Sequence, residues 1–386
     1  MLKLTLLSVS LLTVFGSAAI APALSEIALS FPQIPATQIK SLLTAPALAM
    51  VFIAPFIGKL SHKFGQRRLL ILGLVFYIAG GLGGSITMSF EALFASRVLL
   101  GAGIGILMPM ASGFIAEFYS GKERLQLMGW SSSATNFFGI ISNMLVGFLA
   151  LYNWRYGLSI YSVAILSLIL VYLFIPKQDS PKKLQQKRVK LTTNAYLWAL
   201  FMFLFMVGIY ALPVNIALYI KESQLGGSRE AGIAMSCLSI SAIIAGLLGL
   251  RARDLFRRYF LIAALSFISI GYLLLTNAPS MVTIPLSMLI IGIGSGLIMP
   301  YISYGATSSV PQGGAMGAMG MIATAASLGQ FATPLILDGI AHLLGYYSTH
   351  FVLSIAALSF TVTTALLALI ALFTQPAKSN YGSEQN

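Results

Sequence analysis

Of the 386 residues, 58% are hydrophobic and only 9% are charged, which excludes a water-soluble globular domain and makes the bilayer the solvent of most of the chain. The formal net charge of +13 would suit a nucleic-acid binder, but the basic residues sort by loop rather than along one face, so membrane topology explains them and a nucleic-acid partner is not expected. A single cysteine, Cys237, excludes an intrachain disulfide.

A hydrocarbon core about 30 Å thick is crossed by roughly 20 apolar residues in a helix. Runs of this kind fall at 4–24, 41–58, 69–88, 92–114, 127–151 and 156–175. After the polar stretch 176–194 come runs at 196–219, 232–250, 260–275, 282–302, 316–337 and 349–373. The pattern predicts an all-α membrane protein of about twelve spans. The first run lacks a strongly basic start and passes directly into a polar loop and a second run, so it reads as a retained span rather than a signal peptide. Lys3, Lys59, Lys63, Arg67, Arg68, Lys122, Arg124, the linker cations, Arg251, Arg253, Arg257, Arg258 and Lys378 fall in alternate loops or at the termini, against Lys40, Arg155, Lys221 and Arg229 in the other set. Because short basic loops stay on the cytoplasmic side, both termini are predicted to be cytoplasmic, in a multi-pass protein of the inner membrane.

The chain also repeats itself. Gly101-Ala102-Gly103-Ile104-Gly105-Ile106-Leu107-Met108-Pro109 returns as Gly292-Ile293-Gly294-Ser295-Gly296-Leu297-Ile298-Met299-Pro300, a shift of 191 residues. The same register pairs Pro22 with Pro213, Gly58 with Gly249, Arg67 with Arg258 and Gly129 with Gly320. A register held this far predicts two homologous halves: a six-helix bundle over 1–175, a cytoplasmic linker over 176–194, a second six-helix bundle over 195–374 and a disordered tail over 375–386. Small residues such as Gly101, Gly103 and Gly105 allow helix backbones to approach closely inside lipid.

After the second run stands Gly58-Lys59-Leu60-Ser61-His62-Lys63-Phe64-Gly65-Gln66-Arg67-Arg68. It resembles the loop motif G-x-L-x-D-[RK]-x-G-[RK]-[RK] of the major facilitator superfamily, matching at Gly58, Leu60, Lys63, Gly65 and Arg67. His62 stands where the family usually has aspartate, and Gln66 replaces a basic residue. The resemblance implies a cytoplasmic gate built from Gly58, His62, Lys63, Gly65, Arg67 and Arg68, for which Glu117, Glu123 or helix C-terminal carbonyls would supply acceptors. His62 is either a pH-sensitive element of that gate or a neutral, hydrogen-bonded interface residue. The resemblance further implies two bundles related by a pseudo-twofold axis, alternating access around a central site, and a monomer.

Arg97, followed by Gly101, Gly103 and Gly105, is similar to the family's R-x-x-x-G-x-G element, with Leu100 where glutamine is common. It sits roughly 7–8 Å inside its span by helical rise, and its counterpart in the repeat is Met288. A charge at that depth reads as a functional residue facing a cavity or partner, or as an arginine snorkelling to the interface. In the fifth run, Gly139 and Gly147 match the flanks of the drug–proton antiporter motif, while Asn143 and Met144 occupy its central Gly-Pro pair. Gly329-Gln330-Phe331-Ala332-Thr333-Pro334 looks like an element of bacterial efflux members, and Trp154-Arg155 like the family's recurrent pair.

Proton coupling needs a carboxylate that can be reached from each side in turn. Glu26, Glu91 and Asp338 are the candidate carboxylates, and the proton-coupling set is Asp338 together with a couple of Glu26 and Arg97 between the first and fourth spans; Gly339 places Asp338 at a span terminus. For a small-molecule substrate, the resemblance puts Thr13, Phe15, Ser17, Asn136, Tyr210, Asn215, Tyr301 and Gln330 around the central cavity. The absence of a phosphate-binding glycine loop with its lysine, of catalytic constellations and of a Cys/His cluster predicts no enzyme activity, no cofactor and no metal. The expected function is proton-coupled efflux of lipophilic or amphipathic compounds. The alternatives are a proton-coupled or facilitative carrier of a sugar, metabolite or siderophore-like solute, and a membrane receptor or lipid-handling protein without transport.

Overall fold

A computed structural model describes residues 1–119, 121–175, 192–311 and 314–373, some side chains inside its helices excepted. Every regular element among these residues is helical. In the N-terminal half these are α1 (Leu2–Ala18), α2 (Leu24–Ser30), α3 (Ala36–Ile53), α4 (Ile57–Phe64), α5 (Gln66–Ile86), α6 (Phe90–Phe118), α7 (Gly121–Ala150), α8 (Trp154–Gly157) and α9 (Val163–Phe174). The C-terminal half holds α10 (Thr193–Ile209), α11 (Ala211–Glu222), α12 (Ser228–Leu247), α13 (Gly249–Phe256), α14 (Phe260–Thr276), α15 (Thr283–Ser308), α16 (Ala315–Leu343) and α17 (Thr349–Phe373). Ten helical stretches among the described residues are long and apolar enough to cross a bilayer, and shorter apolar stretches, Lys3–Leu12 and Phe137–Ala150, lie in α1 and α7. This agrees with the expected arrangement of two six-helix bundles. The predicted linker and tail fall mostly on 176–191 and 374–386, outside the described residues. α10 starts at Thr193, inside the expected linker, because the Thr192 side chain caps it by accepting from the Ala195 amide at 3.3 Å.

Glycine contacts hold each half together. A Cβ on Gly103 would lie 2.6 Å from the Tyr77 amide nitrogen, and one on its counterpart Gly294 would lie 2.4 Å from the Ala264 carbonyl. α5 therefore beds on α6, and α14 on α15, at backbone distance, the packing that apolar solvent requires when hydrophobic association is absent. The repeat is also visible in helix breaks. Pro22 sits in the 3-10 turn Ala21–Ala23 that separates α1 from α2, and Pro213 lies in the first turn of α11, just past the interruption at Tyr210. Proline lacks the amide that would continue an α-helix, so the first spanning helix of each half is interrupted at the matching place.

The two halves meet along two seams, α3 with α16 and α7 with α12, with α2 and the 21–23 turn packed on α11 and α12. Among the described residues, the polar contacts across the halves fall toward the end that holds the 31–35, 223–227 and 344–348 connections, away from the basic residues Lys63, Arg67, Arg68 and Arg251. The conformer described is the one closed at that end.

Candidate functional site

Three of the four cations that the sequence places in the minority loop set become contacts rather than free loop charges. Lys40 is 2% exposed and Asp338 is 3% exposed. The Lys40 ammonium donates to both carboxylate oxygens of Asp338, at 2.8 and 2.9 Å, and Thr37 Oγ1 donates to the same carboxylate at 2.9 Å. This pair joins α3 of one half to α16 of the other. α16 runs on to Leu343, so the helix continues past Asp338 and Gly339 rather than ending at them. Gly339 is accommodated in the helix, and nothing approaches the place of its missing Cβ within 4 Å. Lys40, not selected from the sequence, is the residue that gives Asp338 its meaning.

Glu26 bridges the halves as well. Its carboxylate lies 3.5 Å from the Lys221 ammonium and accepts from Ser228 Oγ at 3.4 Å. With side chains 24% and 46% exposed, this pair is hydrated and worth little in isolation, about 0–1 kcal/mol.

Arg97 does not form the expected couple with Glu26. It is fully buried inside the N-terminal bundle, donating to Tyr161 Oη at 3.1 Å and to the Gly80 and Gly81 carbonyls at 3.1 and 3.2 Å, with its guanidinium carbon 5.1 Å above the Tyr161 ring. Gly84 on α5 makes room for the guanidinium, since a Cβ there would lie 2.8 Å from it, while Gly80 and Gly81 admit the α6 backbone and the Tyr161 side chain that frame it. Snorkelling is likewise not what happens; the charge stays inside, its two terminal nitrogens held by carbonyl dipoles and a phenol while Nε has no hydrogen-bond partner.

Of the residues expected around the central cavity, Tyr210 stands at the interruption between α10 and α11 and is buried. Asn215 is 1% exposed; its Nδ2 donates to the Ala211 carbonyl at 2.9 Å, while its Oδ1 has no hydrogen-bond partner. Tyr301 packs into an aromatic cluster, 5.6 Å from the Trp198 ring and 5.4 Å from Phe260. Gln330 is half-buried on α16, where the neighbouring Thr333 Oγ1 donates to the Gly329 carbonyl at 2.9 Å and to Val207 at 3.3 Å, tying α16 to α10. The side chains of Thr13, Phe15, Ser17 and Asn136 lie outside the described residues, as do those of Gly58, His62 and Glu117.

In the loop motif, Gly65 has φ of 81° between α4 and α5, a left-handed conformation that glycine adopts without strain. Lys63 lies over the Phe64 ring at 5.5 Å, and Arg67 donates to the Tyr172 carbonyl while its guanidinium sits 5.2 Å from that residue's ring. Arg68 is exposed. Glu123, one of the acceptors considered for this loop, pairs instead with Lys3 at 2.5 Å.

The partly matching antiporter motif lies on the second seam. A Cβ on Gly147 would be 2.6 Å from the Ser228 carbonyl, and one on Gly232 would be 2.5 Å from that of Asn143. Further along the same seam, Ser236 Oγ donates to Ile140 at 3.2 Å. At the same end, Trp154 Nε1 donates to Ser30 Oγ and Arg155 to the Thr87 carbonyl, both at 2.9 Å, tying the N-terminal half's loops together.

Comparison with known proteins agrees with this architecture. The family model described as Major Facilitator Superfamily matches residues 6–334 and 199–385. Quinolone resistance protein NorA of Staphylococcus aureus is 25% identical over 316 residues, covering 78% of this chain and 79% of that protein. Multidrug resistance protein 2 of Bacillus subtilis is 28% identical over 138 residues, 36% of this chain and 34% of that one. Among solved structures, a D-xylose-proton symporter superposes with a TM-score of 0.69 at 19% identity, over 93% of this chain and 96% of its own. An auto-inhibited peptide transporter of the POT family superposes with a TM-score of 0.75 at 12% identity, over 99% of both chains.

Proposed function

Because the chain belongs to the major facilitator superfamily, and so is a multi-pass membrane transporter, we propose that it exports small lipophilic or amphipathic compounds by alternating access in exchange for protons. The observation that carries the reading is the closure at one end, where the described contacts between the halves gather. The halves are sealed at one end by contacts that can part, while each half is held internally by glycine-mediated backbone contacts. With the basic loops on the cytoplasmic side, this conformer is closed to the outside. Drug efflux is supported by the relatives whose names are quinolone and multidrug resistance proteins. The sugar and peptide carriers share the fold alone, which does not decide the substrate. Tyr210 and Asn215, which flank the interruption in the first helix of the second half, are the residues we assign to substrate contact, since interrupted helices are where carriers hold their substrate. Glu26 and Asp338, the two carboxylates that bridge the halves, are the groups whose protonation would follow the change of access. Arg97 serves this cycle by holding α5, α6 and the 158–162 turn together.

Everted vesicles with an imposed pH gradient test the reading. Addition of a transported amphipathic cation should evoke proton movement that is lost in Glu26→Gln or Asp338→Asn. Solute equilibration without proton movement in the parent protein would refute coupled export, and binding without flux would refute transport.

A further inference from the structure

The repeat relates the two seams to each other. A shift of 191 residues carries Lys40 onto Ala231 and Asp338 onto Gly147, so the α3–α16 contact and the α12–α7 contact are the same joint in two copies. In one copy a lysine and an aspartate meet at 2.8 Å with side chains 3% and 4% exposed. In the other, Ala231 is fully buried beside Gly232, and Gly147 allows the backbones to touch. The joint therefore closes without charge. The ion pair is no requirement of the fold, and replacing a buried pair by apolar side chains is often neutral or stabilising. A switch is the best-attested use of such a pair, because burial makes it all or none: both charges remain paired, or the seam must open and hydrate them.

We propose that Lys40 is a tethered cation that competes with a proton for Asp338, making the α3–α16 seam a proton-responsive latch and the α7–α12 seam its uncharged counterpart. This rests on the alternating-access reading above. When the sealed end opens, Lys40 leaves, and the Asp338 carboxylate binds a proton from the entering water to become a neutral carboxylic acid. When it closes, Lys40 returns, the proton passes back to water and the carboxylate is again ionised beside the ammonium. A protonated Asp338 cannot offset a buried ammonium, so proton occupancy and closure exclude each other. The surroundings leave Lys40 without a rival. On the elements packed against α16, Lys221 is engaged with Glu26, Glu222 caps α17 through the Thr349 amide at 3.1 Å, and His350 meets the Thr276 carbonyl at 2.9 Å. On α16 itself, the His342 ring lies 4.9 Å from that of Tyr347. α10 and α15 carry no charged residue.

The test uses the full chain in nanodiscs with Cys237→Ala and spin labels on cysteines at Ile86 and Leu343, which are 79% and 89% exposed at the sealed end, one in each half. Double electron–electron resonance would give the open-to-closed ratio at about pH 5 and about pH 8. Because the open form binds one more proton, the ratio rises as pH falls, by at most about tenfold per unit. Asp338→Asn should remove this dependence. Lys40→Met leaves the carboxylate without its partner, so it should favour the open form at about pH 8 and reverse the sign of the pH response, because a protonated Asp338 can be buried beside methionine. The charge-reversed double variant Lys40→Asp with Asp338→Lys should restore both closure and the pH response, and it guards against loss of folding in the single variants. A pH-independent ratio in the parent, or a parental response in Asp338→Asn, overturns the latch. Substrate-evoked proton movement measured on the same protein separates the two ideas. Its absence with the pH response intact refutes export alone, and the converse refutes the latch alone.

Discussion

Replacing Gly147 by alanine should loosen the sealed end without loosening the protein. The added Cβ would stand 2.6 Å from the Ser228 carbonyl oxygen and 3.1 Å from Gly232 Cα, where ordinary contact needs more, so α7 and α12 must part or bend. Overpacking of this kind costs about 1–3 kcal/mol. The penalty applies only while the seam is shut, so the closed-to-open ratio should fall about 5- to 150-fold. Alanine also favours helix over glycine by roughly 0.5–1 kcal/mol, but equally in both conformers, which leaves global stability unchanged or raised. Gly83→Ala is the control, since nothing lies within 4 Å of its added Cβ. The readout is labelling of Ser25→Cys, in a Cys237→Ala background, by an impermeant maleimide supplied at the sealed end. Ser25 is 1% exposed, its Oγ has no hydrogen-bond partner, and α2 packs on α11 and α12, so the substitution itself is mild and reports opening. Labelling of the Gly147→Ala protein at the parental rate, or equal acceleration by Gly83→Ala, would refute the reasoning.

Three further outcomes are expected. Arg97→Lys, whose single ammonium cannot span Tyr161 and two carbonyls, should destabilise the protein by ~2 kcal/mol in detergent unfolding; residual folded protein should transport normally, and a coupling defect at full stability would contradict the clamp. Glu26→Gln should change the open-to-closed ratio by less than about fivefold, because its pair with Lys221 is hydrated; an effect equal to that of Asp338→Asn would reverse the ranking of the two bridges. Alanine at Gly103 and at Gly294 should each cost about 1–3 kcal/mol of stability, and a large loss at only one of them would show that the two halves do not pack alike.

Much of the fold was legible because membrane helices declare themselves by hydropathy and because the 191-residue repeat fixed what each glycine stretch had to do. Gly103 and Gly294 approach matching positions of the neighbouring helix, Gly73 and Tyr77 in one half and Ala264 and Ile268 in the other, and Pro22 and Pro213 fall at matching helix breaks, so a single sequence suffices to pair them. The site was less legible for the opposite reason. Lys40 and Asp338 are 298 residues apart and belong to no shared motif, so Lys40 read as a loop cation and Asp338, though a candidate for proton coupling, had no partner. One signal was available: both break the repeat, facing Ala231 and Gly147 in the other copy. Arg97 breaks it too, facing Met288, and its depth was readable from the span, but whether it turned to the cavity or to its own bundle depended on the gap left by Gly84 and on the Gly80 and Gly81 carbonyls of α5. Composition cannot report which face of a helix a neighbour covers.

The glycine contacts within each half have a consequence for the range of compounds such a carrier can accept. Bodies stiffened from within do not need a ligand to deform them. Any molecule that lodges between them and draws them together at its own depth tips the same balance, whatever its shape or hydrogen-bonding pattern. Breadth of recognition therefore leaves the moving parts unchanged, and selectivity can drift from one relative to another by altering a few wall residues while the machinery around them stays as it is.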